Sequence, residues 1–250
     1  MKKLIVLLTL LIVQPAYAEF DATVGPEISY ISYREPGIPF GKDVITVKED
    51  GVMYGIRGIA EYTDGVYLAL DGKYSFGQVD YSGSGTIDNI EDDMIEARAL
   101  IGYAWEKVTL YTGYGYRYLK DDMNNKTTST GYFGYERESN YHYLPVGVKV
   151  ITPLVPIQFE VDALLSGMQV SHLEKAETWL PEVKNKQTTG AGIKISVDLS
   201  RKIKNIDVHF QPFLRWWKVQ SSEVFYSEVG NFREPKNTSL ELGGQLSIKF

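Results

Sequence analysis

The sequence predicts an all-β fold, an antiparallel up-and-down barrel of ten strands, with eight as the alternative count. Three observations lead to this prediction. Apolar and polar residues alternate in most segments, the connections between these segments are alternately short and long, and tyrosine and glycine are abundant, with 18 and 23 of 250 residues. There is no cysteine, which excludes a disulfide framework and a thiolate nucleophile. The formal net charge of -6 argues against broad nucleic-acid binding.

The first 18 residues have the three-part pattern of a secretory signal. Lys2 and Lys3 precede an apolar run over 4–13, and small residues stand at 16 and 18, the positions that a signal peptidase reads. A membrane anchor is the weaker alternative, because a spanning helix needs about 20 apolar residues. We therefore expect a cleaved signal peptide over 1–18 and a barrel domain over 19–250.

The segments that follow alternate with a period of two, the spacing of a strand with one apolar and one polar face. The last segment is the clearest, because Leu240, Leu242, Leu246, Ile248 and Phe250 share one face and polar residues or glycine stand between them. The ten predicted strands span residues 21–33, 51–62, 66–79, 93–105, 107–119, 138–151, 156–172, 187–199, 205–219 and 238–250.

The connections between these strands alternate in length without exception. The odd-numbered connections are long and polar, whereas the even-numbered ones hold one to five residues. Odd and even connections of an up-and-down sheet lie at opposite ends, so one end has tight turns and the other has large loops. This is the anatomy of a transmembrane barrel. The long connections span residues 34–50, 80–92, 120–137, 173–186 and 220–236.

Alternation alone does not separate a membrane barrel from a soluble one, because the two differ in which face points outward. Here the polar face carries Lys, Arg, Asp and Glu along successive strands, which would make a poor dry core but suits a hydrated or ion-paired lumen. Tyrosine and tryptophan are concentrated near strand ends, where membrane barrels have aromatic girdles. The sequence therefore predicts apolar side chains that face lipid and charged side chains that are enclosed.

The terminal stretch Leu240–Phe250, with its alternating apolar positions and its carboxy-terminal Phe250, resembles the outer-membrane β-barrel proteins of Gram-negative bacteria. In that family such a strand is the signal read by the barrel-assembly machinery, so Leu246, Ile248 and Phe250 are the expected assembly signal. The resemblance implies a place in the cell outer membrane, and the even strand count puts both termini on the periplasmic side. The implied partners are outer-membrane lipid and lipopolysaccharide, the assembly machinery and an unidentified extracellular ligand.

Charged residues of both signs are assigned to the inside of the barrel. About eight strands leave room for side chains only, whereas 16–18 strands leave a channel, so ten strands favour a filled interior. Enclosed charges need partners, and we expect a cross-strand ion-pair network, with a narrow pore lined by the same charges as the alternative. The predicted network comprises Arg57, Glu61, Asp71, Lys73, Glu96, Arg98, Arg117, Lys149, Glu160, Asp162, Lys194, Asp207, His209, Arg215 and Glu241.

Asp207 and His209 could carry acid–base chemistry, because residues two apart on a strand point the same way. Omptin proteases, which are ten-stranded outer-membrane barrels, use an Asp/His pair with this spacing together with an acidic pair across the cleft. The resemblance stops at these two residues, and the strand direction places them near the short-turn end instead of the outer rim. A hydrogen-bonded pair that fills the lumen is the simpler interpretation. We predict no catalytic residue, metal site or cofactor.

Two further motifs have simple structural interpretations. The glycines among the tyrosines of 111–118 let the sheet bend and make space for neighbouring rings, with an aromatic platform for a sugar or lipid as the alternative. Acidic residues at 88 and 91–93 lack the spacing of a calcium loop and indicate a solvated loop. The sequence thus predicts a non-enzymatic barrel with a structural or surface-interaction role. The alternatives are a narrow porin-like channel and an omptin-like surface hydrolase.

Overall fold

The computed structural model describes residues 19–40 and 42–250, so the predicted signal peptide lies outside the described residues. These ranges contain one short 3-10 helix, Leu173–Lys175, and no helix long and apolar enough to cross a membrane. The strands are β1 (Glu19–Phe40), β2 (Asp43–Asp64), β3 (Val66–Ser82), β4 (Thr86–Trp105), β5 (Val108–Asp122), β6 (Glu136–Ile151), β7 (Pro156–His172), β8 (Glu182–Gln187), β9 (Gly190–Val197), β10 (Leu199–Ile203), β11 (Ile206–Val219), β12 (Phe225–Ser227), β13 (Gly230–Phe232) and β14 (Asn237–Lys249).

Antiparallel pairing joins the strands into a closed barrel. Each strand from β1 to β7 pairs with the next, and β14 pairs with both β11 and β1, which closes the sheet. β8, β9 and β10 follow one another along a single strand position, since β8 and β9 pair with β7 while β9 and β10 pair with β11. The barrel therefore has ten strands, as predicted, and the alternative count of eight is wrong.

The barrel wall is apolar on the outside and charged on the inside. On β3, Leu70 is 65% exposed, whereas its neighbours Ala69 and Asp71 are 5% and 6% exposed. Exposed apolar side chains in a continuous band are stabilised by lipid and not by water. We call this band the apolar belt; it includes Ile28, Tyr30, Val52, Tyr54, Ile56, Leu68, Leu70, Tyr74, Phe76, Ile95, Ile101, Leu110, Tyr114, Val146, Phe159, Val161, Ile195, Leu214, Leu242 and Leu246.

Two of the predicted long loops are largely strand. β1 and β2 pair as far as Phe40 and Asp43, so the segment 34–50 is a hairpin and not a loop. β3 and β4 pair as far as Ser82 and Thr86, so the segment 80–92 has only a three-residue connection. The prediction was wrong here because the outward residues above the apolar belt face water, and strands in water need no apolar residues on their outer face.

The two ends of the barrel still differ. The short-turn end holds Gly65 and the connections 106–107, 152–155 and 204–205. Gly65 has a φ of 64°, a left-handed conformation that glycine adopts without strain, and this allows the tight turn from β2 to β3. The long-loop end holds the connections 123–135, 173–181 and 220–236, the last of which contains the β12–β13 hairpin.

Candidate functional site

The lumen at the level of the apolar belt is filled by buried charges, which we call the central plug. Every strand position of the barrel contributes a charged residue to it except β6, which contributes Tyr143. The six acids and six bases are each at most 8% exposed, so they are removed from bulk water and need one another. They are Glu27, Arg57, Asp71, Lys73, Glu96, Arg98, Arg117, Glu160, Asp162, Lys194, Arg215 and Glu241.

Arg98 connects two sides of the central plug. Its Nη1 lies 2.6 Å from Oε1 of Glu160, and its Nε donates a hydrogen bond of 3.0 Å to Oδ2 of Asp71. Asp71 also accepts two hydrogen bonds from Arg57, at 2.9 and 2.6 Å, in a bidentate arrangement. Because Glu160 is on β7 and Asp71 is on β3, these contacts cross the lumen.

The other half of the central plug is built around Lys73 and Arg215. Lys73 pairs with Glu241, while Arg215 pairs with Glu96 and lies 2.9 Å from Oδ2 of Asp162. The void left among the plug residues is about 10 Å³, roughly the space that one water molecule needs. The plug residues therefore fill the lumen almost completely at this level.

The predicted network residues divide into four groups, the last of which is the pair Asp207 and His209 at the short-turn end. Nine of them are joined directly in the central plug: Arg57, Asp71, Lys73, Glu96, Arg98, Glu160, Asp162, Arg215 and Glu241. Glu61 and Lys149 pair with each other nearer the short-turn end. Arg117 and Lys194 are buried in the plug without a direct ion pair to any residue in the described part of the chain. Glu27, which pairs with Lys73 at 2.5 Å, also belongs to the plug.

Asp207 and His209 lie near the 204–205 turn, at the short-turn end, as the strand direction predicts. The prediction that they pair with each other is wrong. Instead, His209 Nδ1 lies 2.9 Å from both carboxylate oxygens of Asp198. Residues two apart on one strand are roughly 6.6 Å apart, and Asp198, which lies between β9 and β10 beside β11, can approach His209 more closely. The arrangement that an outer-rim hydrolase would need is therefore not formed by these two residues.

A second group of buried charges lies above the central plug, at the long-loop end. Arg137 binds three carboxylates, with 3.0 Å to Glu35, 2.5 Å to Glu49 and 2.7 Å to Asp121. Tyr33 packs its ring 4.8 Å from the Arg137 guanidinium. We call this group the Arg137 cluster; it consists of Glu35, Glu49, Asp92, Asp121, Arg137 and Glu234, all nine-tenths or more buried.

The Arg137 cluster is not among the predicted sites, because all six of its members fall in segments predicted to be long loops. One signal was present. Asp92 continues the inward alternation of Glu96 and Arg98 on β4, and it could have been placed in the lumen on that ground. The cluster lies beyond the apolar belt, since Glu49 is flanked along its strand by Lys48 and Asp50, whose side chains face outward.

The Arg137 cluster has five acids around one arginine, and this imbalance raises several pKa values. Burial raises the pKa of Glu49 to about 8 in spite of the nearby Arg137. Burial and the neighbouring carboxylate of Asp121 raise the pKa of Asp92 well above its usual range. Burial and the carboxylate of Glu35 do the same for the pKa of Glu234. Protons therefore bind to the cluster near neutral pH.

The barrel should become less stable as pH rises from about 5 to above 8. The folded state holds a proton on Glu49 up to a pKa of about 8, whereas an unfolded glutamate releases it near 4.5, so deprotonation favours unfolding across this window. The expected loss is on the order of a few kcal/mol, because one pKa unit corresponds to about 1.4 kcal/mol. Urea unfolding at pH 6 and pH 9 measures it. Glu49→Gln should flatten the dependence, and an unchanged slope in that variant would contradict this assignment.

Two groups of side chains on the outer surface of the long-loop end are close enough to hold a metal ion, and His172 belongs to both. One group adds Glu136 and Glu138. Glu136 already accepts a hydrogen bond of 2.8 Å from Lys175 and lies 3.1 Å from Lys120. Because these lysines neutralise the charge of Glu136, the first group does not favour a metal centre. The second group consists of His172, Glu174 and Glu182, and in it Glu182 already pairs with Lys184 at 2.6 Å.

The glycines of segment 111–118 make room for aromatic rings. A Cβ atom on Gly115 would lie 2.2 Å from Cζ of Tyr143, so only glycine fits beneath this ring. Tyr143 donates a hydrogen bond of 2.9 Å to Glu96 and thereby completes the central plug. Tyr114 points outward from the same strand and contacts His142, so its ring belongs to the outer wall.

No family model and no curated protein matches the sequence. Among solved structures, the outer membrane protease OmpT from Escherichia coli superposes with a TM-score of 0.55 at 9% identity, over 95% of this chain and 97% of that chain. The fold is that of an outer-membrane β-barrel. At this identity the similarity to OmpT shows the fold alone, and together with the apolar belt it indicates an outer-membrane location.

Two autotransporter barrels are also similar to this outer-membrane β-barrel. The translocator domain of NalP from Neisseria meningitidis has a TM-score of 0.43 at 12% identity, over 98% of this chain and 93% of that chain. The beta domain of the Bordetella autotransporter Brka has a TM-score of 0.40 at 12% identity, over 89% of this chain and 98% of that chain.

Proposed function

We propose that this barrel is a non-enzymatic surface protein with a sealed lumen, and that its long-loop end faces the outside of the cell. The observation that carries the proposal is the central plug. A void of about 10 Å³ between Lys73, Glu96 and Arg215 is too small to pass a hydrated ion or a solute. If the lumen is closed to water, partners can contact only the outer wall and the loops.

The long-loop end has the features of an interaction surface. Trp179 and Tyr226 are 64% and 74% exposed, and Phe133 is also exposed. Large aromatic side chains left in water are common where proteins contact partners, because their burial then contributes strongly to binding. The extended hairpins of β1–β2 and β3–β4 support these loops on a rigid wall. Lipopolysaccharide and an extracellular ligand are the proposed partners of this end.

The last strand supports assembly into the outer membrane. Leu246, Ile248 and Phe250 all face outward from the barrel and are exposed, so they are accessible at the lipid face of the seam between β14 and β1. Phe250 also donates a backbone hydrogen bond of 2.8 Å to Ala22, which fixes the end of the chain to β1. We propose that the barrel-assembly machinery reads these residues and that both termini are periplasmic.

The purified barrel should give no steady unitary currents in a planar lipid bilayer. The reason is the central plug, in which charges such as Arg98 and Glu160 are in contact across the lumen. Insertion is verified separately, by digestion of the exposed loops in vesicles that contain the same preparation. Reproducible ion-selective currents from inserted wild-type protein would overturn the proposal of a sealed lumen and would favour a narrow channel.

Single cysteines can test the orientation, because the chain has none of its own. A cysteine in place of Trp179, at the long-loop end, should react with a large polyethylene glycol maleimide on intact cells. A cysteine in place of Leu154, which is 91% exposed in the turn 152–155, should react only after the outer membrane is permeabilised. The cysteine-free wild type gives the background. The reverse pattern would show that the long-loop end faces the periplasm.

A further inference from the structure

A cavity of about 160 Å³ lies in the lumen between the central plug and the short-turn end. Its inner wall is formed by plug residues, among them Arg57, Arg98 and Lys194. Its sides carry apolar surface from Tyr67 and Phe213. A cavity of roughly 150 Å³ accommodates a six-membered carbon ring, so this one can hold a small organic molecule.

The inner wall of this cavity has an excess of positive charge. Lys194 is 3% exposed, and no ion pair joins it to an acid within residues 19–40 and 42–250. Its cross-strand neighbour Glu160 is already bound by Arg98 at 2.6 Å and by Tyr111 at 2.8 Å. Asp71, the one acid on this wall, is shared by two arginines. Nζ of Lys194 lies 6.0 Å from the centroid of the Phe213 ring, a cation–π contact that carries no negative charge. Burying an ammonium group without an acidic partner is costly, and a bound anion would reduce that cost.

The charged groups at the mouth of the cavity are paired with one another. Lys149 pairs with Glu61, and His209 lies 2.9 Å from Asp198. Lys249 lies 2.7 Å from Asp21. The mouth is therefore close to neutral, and the unbalanced positive charge is confined to the inner wall.

We propose that this cavity binds a small organic anion, with a carboxylate group on a compact apolar body. The carboxylate contacts Nζ of Lys194, and the apolar body lies against Tyr67 and Phe213. Gln158 and Gln211, which also line the cavity, supply amide donors for the second carboxylate oxygen. The ligand enters from the short-turn end, because the central plug closes the other side.

Binding of 4-fluorobenzoate to the folded barrel in detergent micelles tests the proposal, with fluorine NMR as the readout. The uncharged 4-fluorobenzyl alcohol is the matched control for partition into micelles. We expect saturable binding of the benzoate at millimolar or lower concentration and no saturable binding of the alcohol. Lys194→Met should weaken benzoate binding at least tenfold. Lys202→Met removes an exposed lysine of β10 and should leave binding unchanged.

Folding is checked by the shift in electrophoretic mobility between heated and unheated samples. If Lys194→Met does not fold, Lys194→Arg gives a second test, because it keeps the charge and should retain binding within about threefold. Equal affinity of Lys194→Met and wild type would overturn the proposal. So would equal binding of benzoate and alcohol, or the absence of benzoate binding to the wild type at millimolar concentration.

Discussion

Arg98→Leu should lower the free energy of unfolding by about 3–5 kcal/mol, the usual cost of breaking a buried ion pair from one side. Arg98 is 5% exposed and binds Glu160 and Asp71 across the lumen. Asp71 keeps its two hydrogen bonds from Arg57, but Glu160 would be left as a charge with 0% exposure and no guanidinium partner. Urea unfolding in lipid vesicles, followed by tryptophan fluorescence, measures the change.

Two variants control this experiment. Arg201→Leu removes an exposed arginine of β10 and should change stability by no more than about 0.5 kcal/mol. The double variant Arg98→Leu/Glu160→Leu removes the uncompensated carboxylate as well and should recover part of the loss, because apolar residues can replace a buried pair. A loss below about 1 kcal/mol in Arg98→Leu would mean that this contact does not hold the plug together.

Leu70→Arg should cost about 2–4 kcal/mol in a lipid bilayer, although Leu70 is already exposed. Leu70 lies midway along the apolar face of β3, between Val66 and Phe76, so a guanidinium there would be placed in the hydrocarbon core. The same substitution on the surface of a soluble barrel would be nearly neutral. Reversible urea unfolding in vesicles of a single phospholipid measures the difference.

Gln78→Arg is the matched control for this prediction. Gln78 is on the same strand and the same outward face as Leu70, two residues beyond Phe76 and towards the long-loop end. An arginine there reaches water and should cost no more than about 1 kcal/mol. Similar costs for the two variants, both below about 1 kcal/mol, would show that Leu70 does not face lipid.

The fold could be predicted from the sequence because barrel strands repeat a local pattern. Leu240, Leu242 and Leu246 alternate with polar residues or glycine, and this alternation can be recognised without knowledge of the rest of the chain. The same two-residue alternation assigns Asp71 and Lys73 to the inside of the barrel. The number of strands and the assignment of faces follow from this alternation together with the connection lengths. Both were confirmed by the closed ten-stranded sheet with an apolar outer wall.

The alternation of apolar and polar residues fails to predict strands where the barrel extends beyond the lipid. The strand segments that hold Glu35, Glu49 and Arg137 have water outside them, so their outward residues are polar and the alternation is lost. The sequence therefore predicts loops for these segments. The Arg137 cluster, whose acids have raised pKa values, was missed for the same reason.

By itself the sequence determined which side chains face lipid and which are enclosed, since that depends on a two-residue period along each strand. It did not determine the partners of the enclosed charges. Arg98 and Glu160 are 62 residues apart, and Lys73 and Glu241 are 168 residues apart. Their pairing and the burial of Lys194 beside them follow from closure of the sheet, because only closure brings the inward faces of distant strands within bonding distance.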